Sequence, residues 1–372
     1  MNTLRLLHVL FLLVSLCSLP VQADEARDTL SADGPYILYN ADGGARVISV
    51  NPKGEVVDTT YASLPQDFSF EVVSHDGKHR FPVSLHQVER PGWKYDQPKK
   101  LFVMSDPHGN LDCVISLLQG NGVIDEDYRW SYGKNRLMII GDVFDRGNDV
   151  MQIFWLIYKL EKEAQDAGGQ VDFLLGNHEP LVLMNDLRYT KKKYKMLADT
   201  LHMEYPQLLS RSTELGYWLC TRNTMQLIGS NLFVHAGLSK QFFDHNLSIP
   251  TVNEEMSHGL YKRRAERMAE SPLTYFLFAT YGPIWYRGMV RQDAKYYPLA
   301  ADSLQMILKK YDAERVIVGH TIFKDISTFY DKKVIAVNVD NQENRDAKRG
   351  RGILIEGKKI FVVGDEGKMR PL

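Results

Sequence analysis

The sequence predicts an α/β fold with a small β-rich N-terminal extension, and three features carry that expectation. From residue 99 onward, short apolar runs alternate with segments of helical period. Residues 24 to 98 instead hold short β-rich runs separated by turn residues. Five of the later apolar runs end in the same kind of polar, glycine-containing turn. Three segments follow: a leader at 1–23, the extension at 24–98 and a main body at 99–372.

In the leader, Arg5 is the only charge, Leu6 to Leu19 form an apolar stretch, and Val21-Gln22-Ala23 precedes Asp24-Glu25. That order describes a secretory signal, and the apolar stretch is short for a bilayer span. Leu16 is bulky where a lipid-anchoring site at Cys17 would want a small residue. The expectation is a cleaved leader and an exported protein, periplasmic or secreted, with no stable membrane insertion. Cleavage leaves Cys113 and Cys220, which lack CxxC or metal-site spacing and read as two buried thiols.

The extension places Tyr36–Tyr39, Ala45–Val50 and Phe68–Val73 between Asp42-Gly43-Gly44, Pro52-Lys53-Gly54 and Asp76-Gly77. It reads as a small sheet or arm packed on something larger. In the main body Leu101–Met104 is a buried strand and Leu111–Gln119 a short helix. Leu137–Ile140 is the next strand. Val150, Ile153, Phe154, Ile157, Leu160 and Ala164 then mark a helical face, with Gly168-Gly169 as its stop. Trp155 and Leu156 fall off that face, so this helix needs cover on more than one side. Phe173–Leu175, Leu232–Val234 and Val316–Val318 are further strands, and 334–363 returns to hairpin texture. The net charge of −1 gives no general attraction to nucleic acid. The basic runs Lys191-Lys192-Lys193 and Lys348-Arg349-Gly350-Arg351 read as solvated surface.

The strand ends carry the chemistry. The strand at 101–104 ends in Asp106-Pro107-His108-Gly109, and that at 137–140 in Gly141-Asp142-Val143-Phe144-Asp145-Arg146-Gly147. The next three end in Gly176-Asn177-His178-Glu179, His235-Ala236-Gly237 and Gly319-His320-Thr321. Ligand crevices of α/β sheets lie beyond the carboxyl ends of their strands. One such turn means little; five deliver carboxylates, imidazoles and an amide to one rim. Those donors, without thiolate, suit Mn, Fe or Zn. Asp142 is the natural bridge between two cations. Two divalent ions about 3.5–4 Å apart acidify a shared water and stabilise a transferring phosphoryl group. His178 is placed to protonate the departing oxygen, Asp145 to hold that imidazole, and Arg146 to fork phosphate oxygens.

These turns, GDVFDRG and GNHE above all, resemble the calcineurin-like metallophosphoesterase superfamily and its phosphoprotein-phosphatase branch. The resemblance covers about residues 99 to 340 and implies a two-sheet β-sandwich flanked by helices, with metals at the rim. It assigns Asp106, His108 and Asp142 to one metal, and Asp142, Asn177, His235 and His320 to the other. Within the branch, AGGQVDFLLGNHE, NDLRY and GPIWYRG are similar to the Shewanella-like phosphatases, a group that includes an exported bacterial tyrosine phosphatase. This likeness implies that Arg287 is a second phosphate-contacting arginine. Departures are Ser105 and Ala236 where the family has glycine, and Leu175 where Ser/Thr-specific members carry arginine.

The expected activity is a two-metal phosphomonoesterase acting on phosphorylated proteins or peptides, chiefly on phosphotyrosine, by attack of a metal-bridging hydroxide. Trp285 and Tyr286 are candidate contacts for the substrate ring. A small-molecule phosphatase or dinucleoside-polyphosphate hydrolase on the same fold is the alternative, and a non-catalytic metal-stabilised binding protein a remote one.

Overall fold

A computed structural model describes residues 29–65, 67–339 and 350–372. The expected leader and the Lys348-Arg349 pair lie outside the described residues. Turn residues divide the extension as their backbone preferences require. β1 (Asp33–Tyr39), β2 (Ala45–Val50) and β3 (Val56–Tyr61) form an antiparallel meander, and β4 (Ser69–Val73) and β5 (Arg80–Ser84) a hairpin across Asp76-Gly77. β6 (Lys94–Tyr95) already belongs to a sheet of the main body.

The main body holds β7 (Leu101–Ser105), β8 (Arg136–Ile140) and β9 (Gln170–Leu174), parallel and linked through α1 (Leu111–Gly120) and α2 (Val150–Asp166). Then follow β10 (Met225–Ile228), β11 (Asn231–Val234), β12 (Arg315–Val318), β13 (Ser327–Phe329) and β14 (Val334–Ala336). Last come β15 (Arg351–Glu356), β16 (Lys359–Gly364) and β17 (Met369–Pro371). Two six-stranded sheets result, in the orders β17-β16-β15-β7-β8-β9 and β13-β14-β12-β11-β10-β6.

The sheets lie face to face. Leu101, Val103, Met138 and Ile140 share a buried layer with Phe233, Ile317 and Ile335. The outer face of the first sheet (Phe102, Met104, Leu137, Ile139) packs on α1, α2 and the extension. The outer face of the second (Leu232, Val234, Val316, Val318) packs on residues of the 242–311 helices. Helices thus cover both sheets, and central strands buried on both faces read as unbroken apolar runs.

From Val150 to Leu160 every residue of α2 is buried, as Trp155 and Leu156 required. The cover is the extension: Trp155 donates its indole N–H to the Pro35 carbonyl at 2.9 Å, and Gln152 reaches the Ala32 and Val73 carbonyls. Two expectations about burial are corrected. Lys193 is buried, its ammonium 3.4 Å from Asp33 Oδ1, because the extension docks over it. Cys220 is a buried thiol, but Cys113 is only half-buried; neither is in a disulfide.

Candidate metal centre

The parallel strands β7, β8 and β9 end at one edge of their sheet, and the turns after β11 and β12 meet them there. Backbone bonds stitch the rim. Asp106 N–H donates to Gly141 O at 3.1 Å, His108 N–H to Asp142 O at 2.9 Å, and Gly319 N–H to His235 O at 2.8 Å. The turns approach so closely that side chains are excluded at several points. A Cβ on Gly176 would overlap Asp142 Oδ1, and one on Gly319 would overlap Asp106 Oδ2.

Six expected site residues adopt left-handed backbone without being glycine: Asp106 (φ 49°), His108 (44°), Asp142 (57°), Asp145 (71°), Arg146 (64°) and His320 (60°). Such conformations cost on the order of 1–3 kcal/mol each and persist only where surrounding structure imposes them. Their concentration on one rim marks this site without reference to any motif.

Asp142 lies at the centre. Its Oδ2 is 3.1 Å from His235 Nε2 and 3.8 Å from His108 Nε2, and its Oδ1 accepts the His178 N–H at 2.9 Å. Ligating atoms of His108, Asp142 and His178 lie within 4.8 Å of one another, as do those of Asp142, His235 and His320. Asp142 is common to both groups. Asn177 Oδ1 is 3.1 Å from His235 Nε2, and the Asp106 carboxylate accepts the His320 N–H at 3.0 Å. The structure therefore brings the six expected ligands to one rim, with His178 standing in the first group where Asp106 was expected.

These donors fit metal ions. His320 Nε2 is buried and has no hydrogen-bond partner among the described residues. His108 Nδ1 donates to Phe144 O at 2.8 Å and His235 Nδ1 to Ile140 O at 3.0 Å, which turns each Nε2 inward as the nitrogen a metal would take. Protons compete for the site in the absence of metal. Burial holds Asp106 up, to about 7, and pushes His108 down to about 3. Burial also works against charge on Asp142 and His235. The His235, His178 and His108 imidazoles nevertheless hold Asp142 well below the carboxylate range. Asp142 and Asp106 in turn lift His235 to about 9.

His178 opens a short helix directly after Asn177. Its Nδ1 donates to Asp145 Oδ2 at 2.6 Å, and Thr190 Oγ1 donates to Asp145 Oδ1 at 2.6 Å. Burial disfavours the imidazolium, but Asp142 and Asp145 outweigh it, so His178 is raised above its ordinary value. Two residues were given no role in the sequence reading. Thr190 carries no signal of its own. Glu179 stands inside GNHE, and its buried carboxylate accepts the Gly176, Asp142 and Val143 N–H groups at 2.6, 3.1 and 2.9 Å.

Arg146 is exposed beside these groups, and Arg287 is half-buried, donating to Thr321 Oγ1 at 3.2 Å. The aromatic expectation is corrected in part. Tyr286 is buried, its hydroxyl donating to Tyr297 O at 2.7 Å, so it offers no face to a substrate. Trp285 stays at the rim, edge-on to His320 with centroids 5.7 Å apart. Leu175 lies wholly within the core around α2, so an arginine there would bury an unpaired charge rather than reach the rim.

Residues 99–322 match the calcineurin-like phosphoesterase model. The chain is 25% identical over 272 residues to Shewanella-like protein phosphatase 2 of Arabidopsis thaliana, covering 62% of this chain and 68% of that protein. It is 30% identical over 238 residues to Shewanella-like protein phosphatase 1 of Plasmodium berghei, covering 61% and 63%. The crystal structure of a cold-active protein-tyrosine phosphatase from a psychrophilic Shewanella superposes with a TM-score of 0.81 at 28% identity, covering 92% of this chain and 99% of that one. Strand ends, strained rim and matched span agree: this chain belongs to the calcineurin-like phosphoesterase family and is a metal-dependent phosphatase.

Proposed function

We propose that the protein is an exported phosphomonoesterase that uses two divalent ions, Mn, Fe or Zn, to hydrolyse phosphotyrosine in proteins or peptides. The observation that carries this reading is the shared place of Asp142 in both groups of ligating atoms, with His178 of the first group bonded to Asp145. Asp106, His108 and Asp142 would hold one ion, and Asp142, Asn177, His235 and His320 the other. Ions bound there supply a nucleophile from water at neutral pH and neutralise phosphoryl charge.

The chain's own side chains do the rest. Arg146 and Arg287 bind the phosphate oxygens. Asp145 orients the His178 ring through Nδ1 and favours its protonated form, so Nε2 delivers a proton to the leaving oxygen. The likeness to the Shewanella tyrosine phosphatase supports phosphotyrosine over phosphoserine. The leader at 1–23 supports export.

Matched phosphotyrosine and phosphoserine peptides, with a nucleotide panel, assayed on protein stripped and refilled with Mn, Fe or Zn, test the reading. The expected result is kcat/KM at least ~10-fold higher for phosphotyrosine, about 1.4 kcal/mol. Parity or a phosphoserine preference would overturn the specificity, and a nucleotide preference the phosphoprotein reading.

A further inference from the structure

A phosphate ester's leaving oxygen must lie beside the group that protonates it. For a phosphotyrosine the aryl ring begins one bond beyond that oxygen, so the ring also lies close to His178. The aromatic side chain standing there is Tyr189, in the NDLRY stretch. Its ring centroid is 5.4 Å from that of His178, and it is 47% exposed. Single exposed aromatics are common; position decides the matter here.

The backbone that carries the ring is anchored, and the ring itself is open. Its backbone carbonyl accepts the Arg146 N–H at 3.1 Å, and the next residue, Thr190, is tied to Asp145. Neither neighbouring guanidinium covers it closely. Arg188 is held by both oxygens of Asp186, at 2.8 and 2.7 Å, with its Cζ 5.6 Å from the ring centroid. The Arg146 Cζ is 6.0 Å away. Trp285 stands by His320, in the other ligand group.

We propose that Tyr189 is the platform on which the substrate's aryl ring stacks, which makes it a specificity-determining residue of the reaction; this rests on the phosphatase reading above. Offset or edge-on ring pairs form at centroid separations of ~4.5–7 Å. A phosphoserine places only a methylene there, so the platform acts on one substrate class and not the other.

The test is binding, which needs no turnover. Non-hydrolysable phosphonate analogues of matched phosphotyrosine and phosphoserine peptides are titrated into the Mn-loaded protein and its Tyr189→Ala and Tyr189→Phe variants. Tyr189→Ala is expected to weaken the aryl analogue ~10-fold more than the alkyl one, and Tyr189→Phe to restore most of the difference. Equal weakening of both analogues, or weakening of neither, would overturn the platform. Turnover of the parent phosphopeptides is measured in parallel. Selective binding without hydrolysis would leave the platform standing and overturn the proposed phosphotyrosine hydrolysis instead.

Discussion

Asp142 and Thr190 show how differently single residues serve this rim. Among the described residues Asp142 is the one carboxylate common to both groups of ligating atoms. Asp142→Asn is expected to lower turnover at least ~10²-fold and reduce bound metal, with the fold kept, because an amide accepts the same His178 N–H. Elemental analysis with an activity assay checks it, and full metal content with near-normal turnover would refute the bridge. Thr190 touches no ligand, and its hydroxyl holds Asp145 against His178. His178 is raised above its ordinary value, so a less firmly held Asp145 lets it lose its proton at lower pH. Thr190→Val should therefore move the basic limb of the kcat profile to lower pH and cut kcat by ~10-fold, with Thr190→Ser restoring both. A basic limb that stays in place would show that Thr190 only supports the fold.

At the scale of an element, the turn after β8 is held from outside itself. Glu179 accepts three backbone N–H groups from the Gly141–Phe144 and Gly176 turns, locking Asp142 and Asn177 in register. Glu179→Ala leaves those donors buried without partners, at ~1–3 kcal/mol each. A loss of about 3 kcal/mol or more in denaturant unfolding is expected, and a smaller one for Glu179→Gln, which keeps an acceptor oxygen. Equal stability of the two variants would mean that water replaces the carboxylate.

Across the whole molecule, the β-rich extension is part of the core rather than an attachment to it. Tyr36, Ile37, Val72 and Phe81 share one cluster with α2 and the first sheet, and His75 bonds Asp149 at the start of α2. A chain cut to residues 99–372 would expose Trp155 and Tyr158. Each buried aromatic ring is worth on the order of 5 kcal/mol. This truncated chain is expected to aggregate or lose its near-UV signal, as gel filtration and circular dichroism would show. A monomer with cooperative unfolding would make the extension dispensable.

The chain by itself determined the strands and the rim they share. A strand buried on both faces must be an unbroken apolar run, and a ligand-bearing turn must follow it directly, so both are written in contiguous residues. Asp106, His108, Asp142, Asn177, His235 and His320 were legible for that reason. Contacts between distant segments were not. Lys193 reads as surface until Asp33, 160 positions earlier, comes over it. Tyr286 and Tyr189 are the same residue type beside the same kind of arginine, yet one is buried and the other stands open next to His178. Which face a side chain turns to solvent depends on what packs against it from elsewhere in the chain, and only the tertiary structure decides that.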